Sequence, residues 1–168
     1  MSLEEIILDD RTEYRLNGKL HNDNDLPAIV YNDGTLMWFK NGLMHRVNGP
    51  AFISLTGTEY WYQNGEYHRD NDLPAITWAN GTRMWYQRGK LHRNDSGGSG
   101  SGRNDSGGSG SGRNDSGGSG SGRNDGPAII DHNGTKYWYL NDKLHRDDGP
   151  AIVYLDGREE YYHHGHKI

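Results

Sequence analysis

One interval governs this chain. Pro27, Pro50, Pro74, Pro127 and Pro150 are separated by 23, 24, 53 and 23 residues. His21, His45, His68, His92 and His145 step by 24, 23, 24 and 53, and the rings Trp38, Trp61, Trp85, Trp138 and Tyr161 by 23, 24, 53 and 23. Repetition at this period constrains the fold more than composition does. A unit of 23 residues cannot bury an apolar face alone, so it must stack on its neighbours.

The long step of 53 exceeds the period by 30, and residues 96–125 account for it: they read SGGSGSGRND three times. This block holds no apolar side chain. Its three arginines and three aspartates cancel, so the rest of the chain carries the whole formal charge of −5. The mean hydropathy of −1.01 therefore misrepresents the other 138 residues, whose composition is that of an ordinary globular domain. Gly/Ser-rich runs behave as flexible coils, so 96–125 is expected to form one long flexible loop. Its threefold identity and the preserved phase point to an engineered insertion, with a natural tandem expansion as the alternative. The connection it enters already varies in length, six residues from His21 to Pro27 and five from His45 to Pro50. Lengthening it this far costs about 2 kcal/mol in closure entropy.

Each unit reads in one order. Pro-Ala opens an apolar run, as in Pro27–Tyr31 and Pro150–Tyr154; proline suits the first residue of a strand. β-Branched and aromatic residues follow, at Ile29, Phe52, Ile76, Ile129 and Ile152. A mid-unit turn comes next, at Asp33-Gly34, Asn80-Gly81 or Asn133-Gly134, where positive φ at both central positions would give a tight hairpin. A second strand is expected to carry the rings, as in Trp38-Phe39 and Trp61-Tyr62, before another turn such as Asn17-Gly18, Asn41-Gly42 or Asn64-Gly65. The fold expected is all-β, an elongated stack of antiparallel β-hairpins. Residues 1–13 form an N-terminal cap, in which Leu3–Ile7 is either a short strand or a helical turn. Residues 14–95 hold repeats, 96–125 the insert, and 126–168 the remaining repeats of the same stack.

Three elements, Asn17-Gly18-Lys19-Leu20-His21, the mid-unit Asp-Gly and the Trp/Tyr pair before the next Asn-Gly, make the chain resemble the bacterial and viral variants of the MORN-repeat family. Two departures stand out. The aromatic residues abut, as in Tyr60-Trp61-Tyr62, and His-Arg-x-x-Gly-Pro-Ala replaces the usual histidine-glycine segment, as at His145–Ala151. The resemblance implies a hairpin-stack fold. For function it implies scaffolding, membrane-associated adaptors or antitoxin components.

Several classes are excluded or disfavoured. No apolar run approaches a membrane span, the acidic N-terminus lacks an apolar signal stretch so secretion is not expected, and the absence of cysteine removes disulfides and thiolate metal sites. A mildly acidic chain without a Lys/Arg cluster is a poor nucleic-acid binder. No phosphate loop, nucleophile elbow or zinc-protease helix is present, and candidate acids and bases recur with the repeat, so neither an enzyme nor a cofactor is expected. The histidine column suits hydrogen bonds to turns of its own or the next unit better than metal ligation, since equivalent residues stand about 10 Å apart. His163, His164 and His166 lie closer together but are expected to bind metal only adventitiously.

Two columns remain as partner-binding candidates. Phe39, Tyr62, Tyr86, Tyr139 and Tyr162 form a second aromatic face opposite the Trp column. Arg46, Arg69, Arg93 and Arg146 form a basic column, expected to be neutralised by an acid or amide in each arginine's own loop. The function expected is a cytoplasmic, non-enzymatic scaffold or protein-binding module. Alternatives are an antitoxin-like inhibitor and a small-ligand or nucleotide binder using the Arg/His face. It would be a monomer or an end-to-end or loop-swapped oligomer. Limited proteolysis should cut 96–125 first and leave both fragments associated; fragments that separate without denaturant would overturn the continuous stack.

Overall fold

The computed structural model describes residues 2–93 and 126–168; the insert 96–125 and its expected flexible-coil state lie outside the described residues. Among the described residues there is no helix, only short strands. A single 13-stranded sheet runs the length of the chain. It starts with Glu4–Ile7 against Arg11–Leu16, so the N-terminal segment is a strand rather than a helical turn. Each unit then adds an antiparallel pair: Ile29–Tyr31 with Leu36–Met37, Phe52–Ile53 with Glu59–Tyr60, Ile76–Thr77 with Arg83–Met84, Ile129–Ile130 with Lys136–Tyr137, and Ile152–Val153 with Glu159–Glu160. The ladder continues across the insert, because Arg83–Met84 pairs directly with Ile129–Ile130.

A second hairpin in every unit builds a second layer. These are Phe39–Lys40 with Leu43–Met44, Tyr62–Gln63 with Glu66–Tyr67, Tyr86–Gln87 with Lys90–Leu91, Tyr139–Leu140 with Lys143–Leu144, and Tyr162–His163 with His166–Lys167. Their turns hold both central residues at positive φ, as at Asn41 (54°) and Gly42 (86°), which matches the strand twist. The amide exposed at each turn donates to the preceding hairpin: Gly42 N to Leu20 O at 2.8 Å, Gly65 N to Met44 O at 2.8 Å, and Gly165 N to Leu144 O at 2.8 Å.

The rings do not sit inside one continuous second strand as the sequence pattern suggested. Each Trp lies between two strands, at the corner where the chain leaves the long sheet for the second hairpin. Trp38 N donates to Ala51 O at 2.8 Å in the sheet, while Trp38 O accepts from His45 N at 3.1 Å in the hairpin. Trp61, Trp85 and Trp138 repeat both bonds. The mid-unit turns also differ from expectation. Only the glycine takes positive φ, as at Gly34 (91°), in a three-residue loop closed by Tyr31 N to Thr35 O at 2.9 Å.

The core lies between the two layers. Ala28, Ala51, Ala75, Ala128 and Ala151 are fully buried, and Trp38, Trp85 and Trp138 nearly so. Along the inner column Ile29 pairs Met37, Met37 pairs Phe52, Phe52 pairs Tyr60 and Tyr60 pairs Ile76. Phe52 stacks on Tyr60 at 4.7 Å, and Tyr60 meets Tyr67 of the second layer edge-on at 6.0 Å. Carboxylates stand near both ends of this column. Glu13, in register with Ile29, is buried and held by Arg11 (2.8 Å) and Arg15 (2.7 Å); these bonds keep its carboxyl below the usual range. Glu160, in register with Ile152, ends the other side and pairs with Lys167 at 3.1 Å.

A buried corner and an exposed one should respond differently to truncation. Trp85→Ala removes a ring shared by both layers and is expected to cost about 3–5 kcal/mol in urea unfolding. Tyr161→Ala, at a corner ring 43% exposed, should cost less than half of that. Equal losses would mean that the corner ring is not what joins the layers.

Candidate functional site

The loops running from each histidine to the next proline carry the second hairpin back to the sheet, and they line one edge of the stack. Their length varies between units, six residues from His21 to Pro27 and five from His45 to Pro50, so the edge is a place where one unit can differ from another.

The histidines join units at this edge. The Nδ1 atoms of His21, His45, His68 and His145 accept from the turn amides of the following unit, at Asn41 (3.1 Å), Asn64 (3.1 Å), Arg88 (3.3 Å) and His164 (3.2 Å). An accepting Nδ1 leaves the proton on Nε2, which meets Asp23 (3.1 Å), Asp70 (3.1 Å) and Asp147 (3.3 Å) in the first, third and fourth of these. Protonation of Nδ1 would set two N–H donors against each other.

The arginines face the other way along the chain. Arg46 lies over the Trp38 ring at 3.9 Å and grips Asp25 through Nε (2.9 Å) and Nη2 (2.8 Å). Arg93 does the same with Trp85 (4.2 Å) and Asp72 (2.7 and 2.6 Å). Each acid belongs to the preceding loop, 21 residues earlier, and not to the arginine's own loop as the sequence suggested. The side chain reaches back across the indole instead of folding onto its neighbours. From its own loop the proline carbonyl also accepts, Pro50 O from Arg46 and Pro127 O from Arg93. Arg46 holds the Asp25 carboxyl below the usual carboxylate range. Arg69 and Arg146 stack likewise, on Trp61 (3.8 Å) and Trp138 (4.1 Å). At the same register before Arg69 stands Asn48; before Arg146 it is Asp125, which lies outside the described residues.

The second aromatic face is half-buried. Tyr62 packs on Tyr67 at 4.2 Å, and Tyr67 on Tyr86 at 5.1 Å. Burial raises the hydroxyls of Tyr62, Tyr86 and Tyr139 above the ordinary tyrosine value. Phe39 and Tyr162 are half-buried too, and Tyr162 donates to Glu160 at 3.0 Å. Tyr62 and Tyr86 thus lean on Tyr67 from either side, and none of the five rings stands fully exposed.

The surface that sequence reasoning passed over is apolar and on the loops. Leu26, Val47 and Leu73 are 53%, 65% and 44% exposed, in three successive connections. Leu26 and Val47 flank one cleft of about 200 Å³, with Trp38, Phe39 and Arg46 in its wall. Val47 and Leu73 flank the next, of about 190 Å³, with Trp61 and Arg69 in its wall. Val47 thus belongs to both clefts. The available signal was a large apolar residue recurring among the Asn, Asp and Gly of a connection. A third cleft, of about 560 Å³, is polar and lined by His68, Asp70, Asp72, Arg88 and Lys90.

At the C-terminal end the structure gathers His145, His163 and His164, with ligand-capable atoms within 4.8 Å of one another. The sequence had grouped His166 with His163 and His164; His166 instead pairs across the last hairpin with His163. His145 and His164 stack at 4.3 Å with their planes 9° apart. An imidazole lone pair lies in its ring plane, so rings stacked face to face do not aim at one ion.

Burial lowers the His145 pKa, Asp147 opposes that shift, and His164 and His163 add to it. The neutral form is therefore favoured in the folded state, whose affinity for the proton is below that of the unfolded chain. Stability from this group is present above about pH 6.5, the unfolded value, and is lost as pH falls through the lower folded pKa. Thermal melts from neutral to mildly acidic pH should show the loss, and His145→Gln should reduce it. Compared with family models, with curated proteins and with solved structures, the chain matches none.

Proposed function

We propose that the protein is a non-enzymatic β-repeat module that binds a protein partner along its loop edge. The observation that carries this reading is the line Leu26–Val47–Leu73. Three large aliphatic side chains stand exposed in consecutive units, joined by two clefts that share Val47. An apolar line rimmed by polar loops is the pattern of a protein contact, with aliphatic anchors and a charged rim. The arginine column contributes rim and register more than net attraction, because Arg46 and Arg93 already hold carboxylates. The polar cleft sets Asp70 and Asp72 against Arg88 and Lys90, and Arg93 already holds Asp72, so its charge is balanced rather than selective for an anion.

Pull-down at low and high salt tests the reading. A partner retained at high salt supports contact through the aliphatic line, and a salt-sensitive one transfers the contact to the arginines. A ligand-induced melting shift with no protein partner would favour the small-ligand alternative. Replacing Leu26, Val47 and Leu73 together by serine should abolish capture. The same variant should melt within a few degrees of the parent, because exposed positions typically contribute less than about 0.5 kcal/mol each.

A further inference from the structure

The repeat contains a clasp that is complete in two units and open in the one between them. In the complete clasp, one aspartate of the preceding loop is held at two points. Its carboxylate takes Nε and Nη2 of the arginine, and its backbone carbonyl takes the indole N–H: Trp38 Nε1 to Asp25 O at 2.9 Å, and Trp85 Nε1 to Asp72 O at 3.0 Å. The guanidinium lies flat on the same indole.

Between them stands Trp61 with Arg69. Here the preceding connection, from His45 to Pro50, is one residue shorter and reads Arg46-Val47-Asn48-Gly49, with no carboxylate. The arginine keeps its pose, 3.8 Å over Trp61 and donating Nη1 to Pro74 O at 3.1 Å. Yet Arg69 Nε and Trp61 Nε1 are both buried without a hydrogen-bond partner. These are two of the donors that a single aspartate satisfies in the flanking units. Buried polar groups left unpaired are rare in folded proteins and call for a partner. Trp61 and Arg69 both line the 190 Å³ cleft, whose rim is Val47 and Leu73. Asp70, also in the wall, meets His68 at 3.1 Å. Glu59 acts on Arg69 only through its field.

We infer that this cleft receives an aspartyl residue of a partner segment: its side-chain carboxylate on Arg69, its backbone carbonyl on Trp61 Nε1, and its apolar neighbours on Val47 and Leu73. Guanidinium and carboxylate match as a two-point fork, which a lysine in the same place would not reproduce. The inference rests on the protein-binding reading and names the chemistry of the partner. The chain's own loops show the preferred sequence around such a residue, Asn24-Asp25-Leu26-Pro27 and Asn71-Asp72-Leu73-Pro74.

The test uses the full chain, labelled for NMR, and a capped Asn-Asp-Leu-Pro tetrapeptide. The Trp61 indole N–H and the Arg69 Nε–H should both shift saturably with this peptide. The Asn-Asn-Leu-Pro analogue should bind at least tenfold more weakly, and so should the parent peptide to Arg69→Lys. Grafting Asn-Asp-Leu in place of Asn48-Gly49 lengthens the short loop to match its neighbours; it should raise the melting temperature and abolish peptide binding. Sodium acetate should shift Arg69 Nε–H alone; acetate saturating as tightly as the peptide would overturn recognition of an aspartyl residue. Equal binding of the two peptides, or no saturable shift with either, would overturn the site. If the site fails while a partner is still captured equally by Arg69→Lys, the binding-module reading survives. If the peptide binds but no partner is captured, the site survives without that reading.

Discussion

A strand of two residues cannot stand alone, and nearly every strand in this chain has two. What makes such strands cohere is the backbone of each corner tryptophan, whose two flanking peptide groups belong to different ladders. Its N–H closes a bond in the long sheet and its carbonyl one in the second hairpin, so neither layer forms without setting the angle of the other. The fully buried alanines are the complement of that corner. The carbonyl of one of them, Ala51, accepts the Trp38 N–H at 2.8 Å, and Pro-Ala opens every sheet pair after the first strands.

Two kinds of polar stitch then tie neighbouring units, and they run in opposite directions. Each of four histidines reaches forward to the turn of the following unit, while Arg46 and Arg93 reach back to the loop of the preceding one. An interior unit is therefore completed from both sides. Units at the ends need substitutes. Glu13, locked between two arginines, stands one strand in from one end of the core column, in register with Ile6, and Glu160, with Lys167, stands at the other. The edge strands themselves carry Glu4 and Glu5 at one end and Glu159 and Glu160 at the other. Like charges on both open edges oppose addition of a further strand from another chain.

The repeat phase, the strand-and-turn class and the continuity of the stack across the insert were all legible in the sequence, because spacing survives whatever lies in a loop. The corner at Trp38 was not, since a bend between two extended residues leaves no trace in residue type. Nor was the partner of Arg46: Asp25 is 21 residues away and becomes a neighbour only when one unit is laid on the next. The three-residue mid-unit turns eluded the Asp-Gly rule because Thr35 and its equivalents close a wider loop than that dipeptide suggests. Leu26, Val47 and Leu73 were passed over as loop residues among Asn and Asp, since exposure cannot be read from a pattern whose period lies in the strands.

The transverse strands have a mechanical consequence. Each strand of the long sheet lies across the direction in which units are added and meets most of its neighbours through two residue pairs. Tension between the chain ends would load those pairs one unit at a time instead of shearing the ladder as a whole. Each unit released would lengthen the chain by roughly 70 Å, the reach of an extended 23-residue stretch less the two strand spacings it occupied. Under load the stack would behave as a stepwise extensible spring, giving way at low force and re-forming by adding units to whatever remains folded.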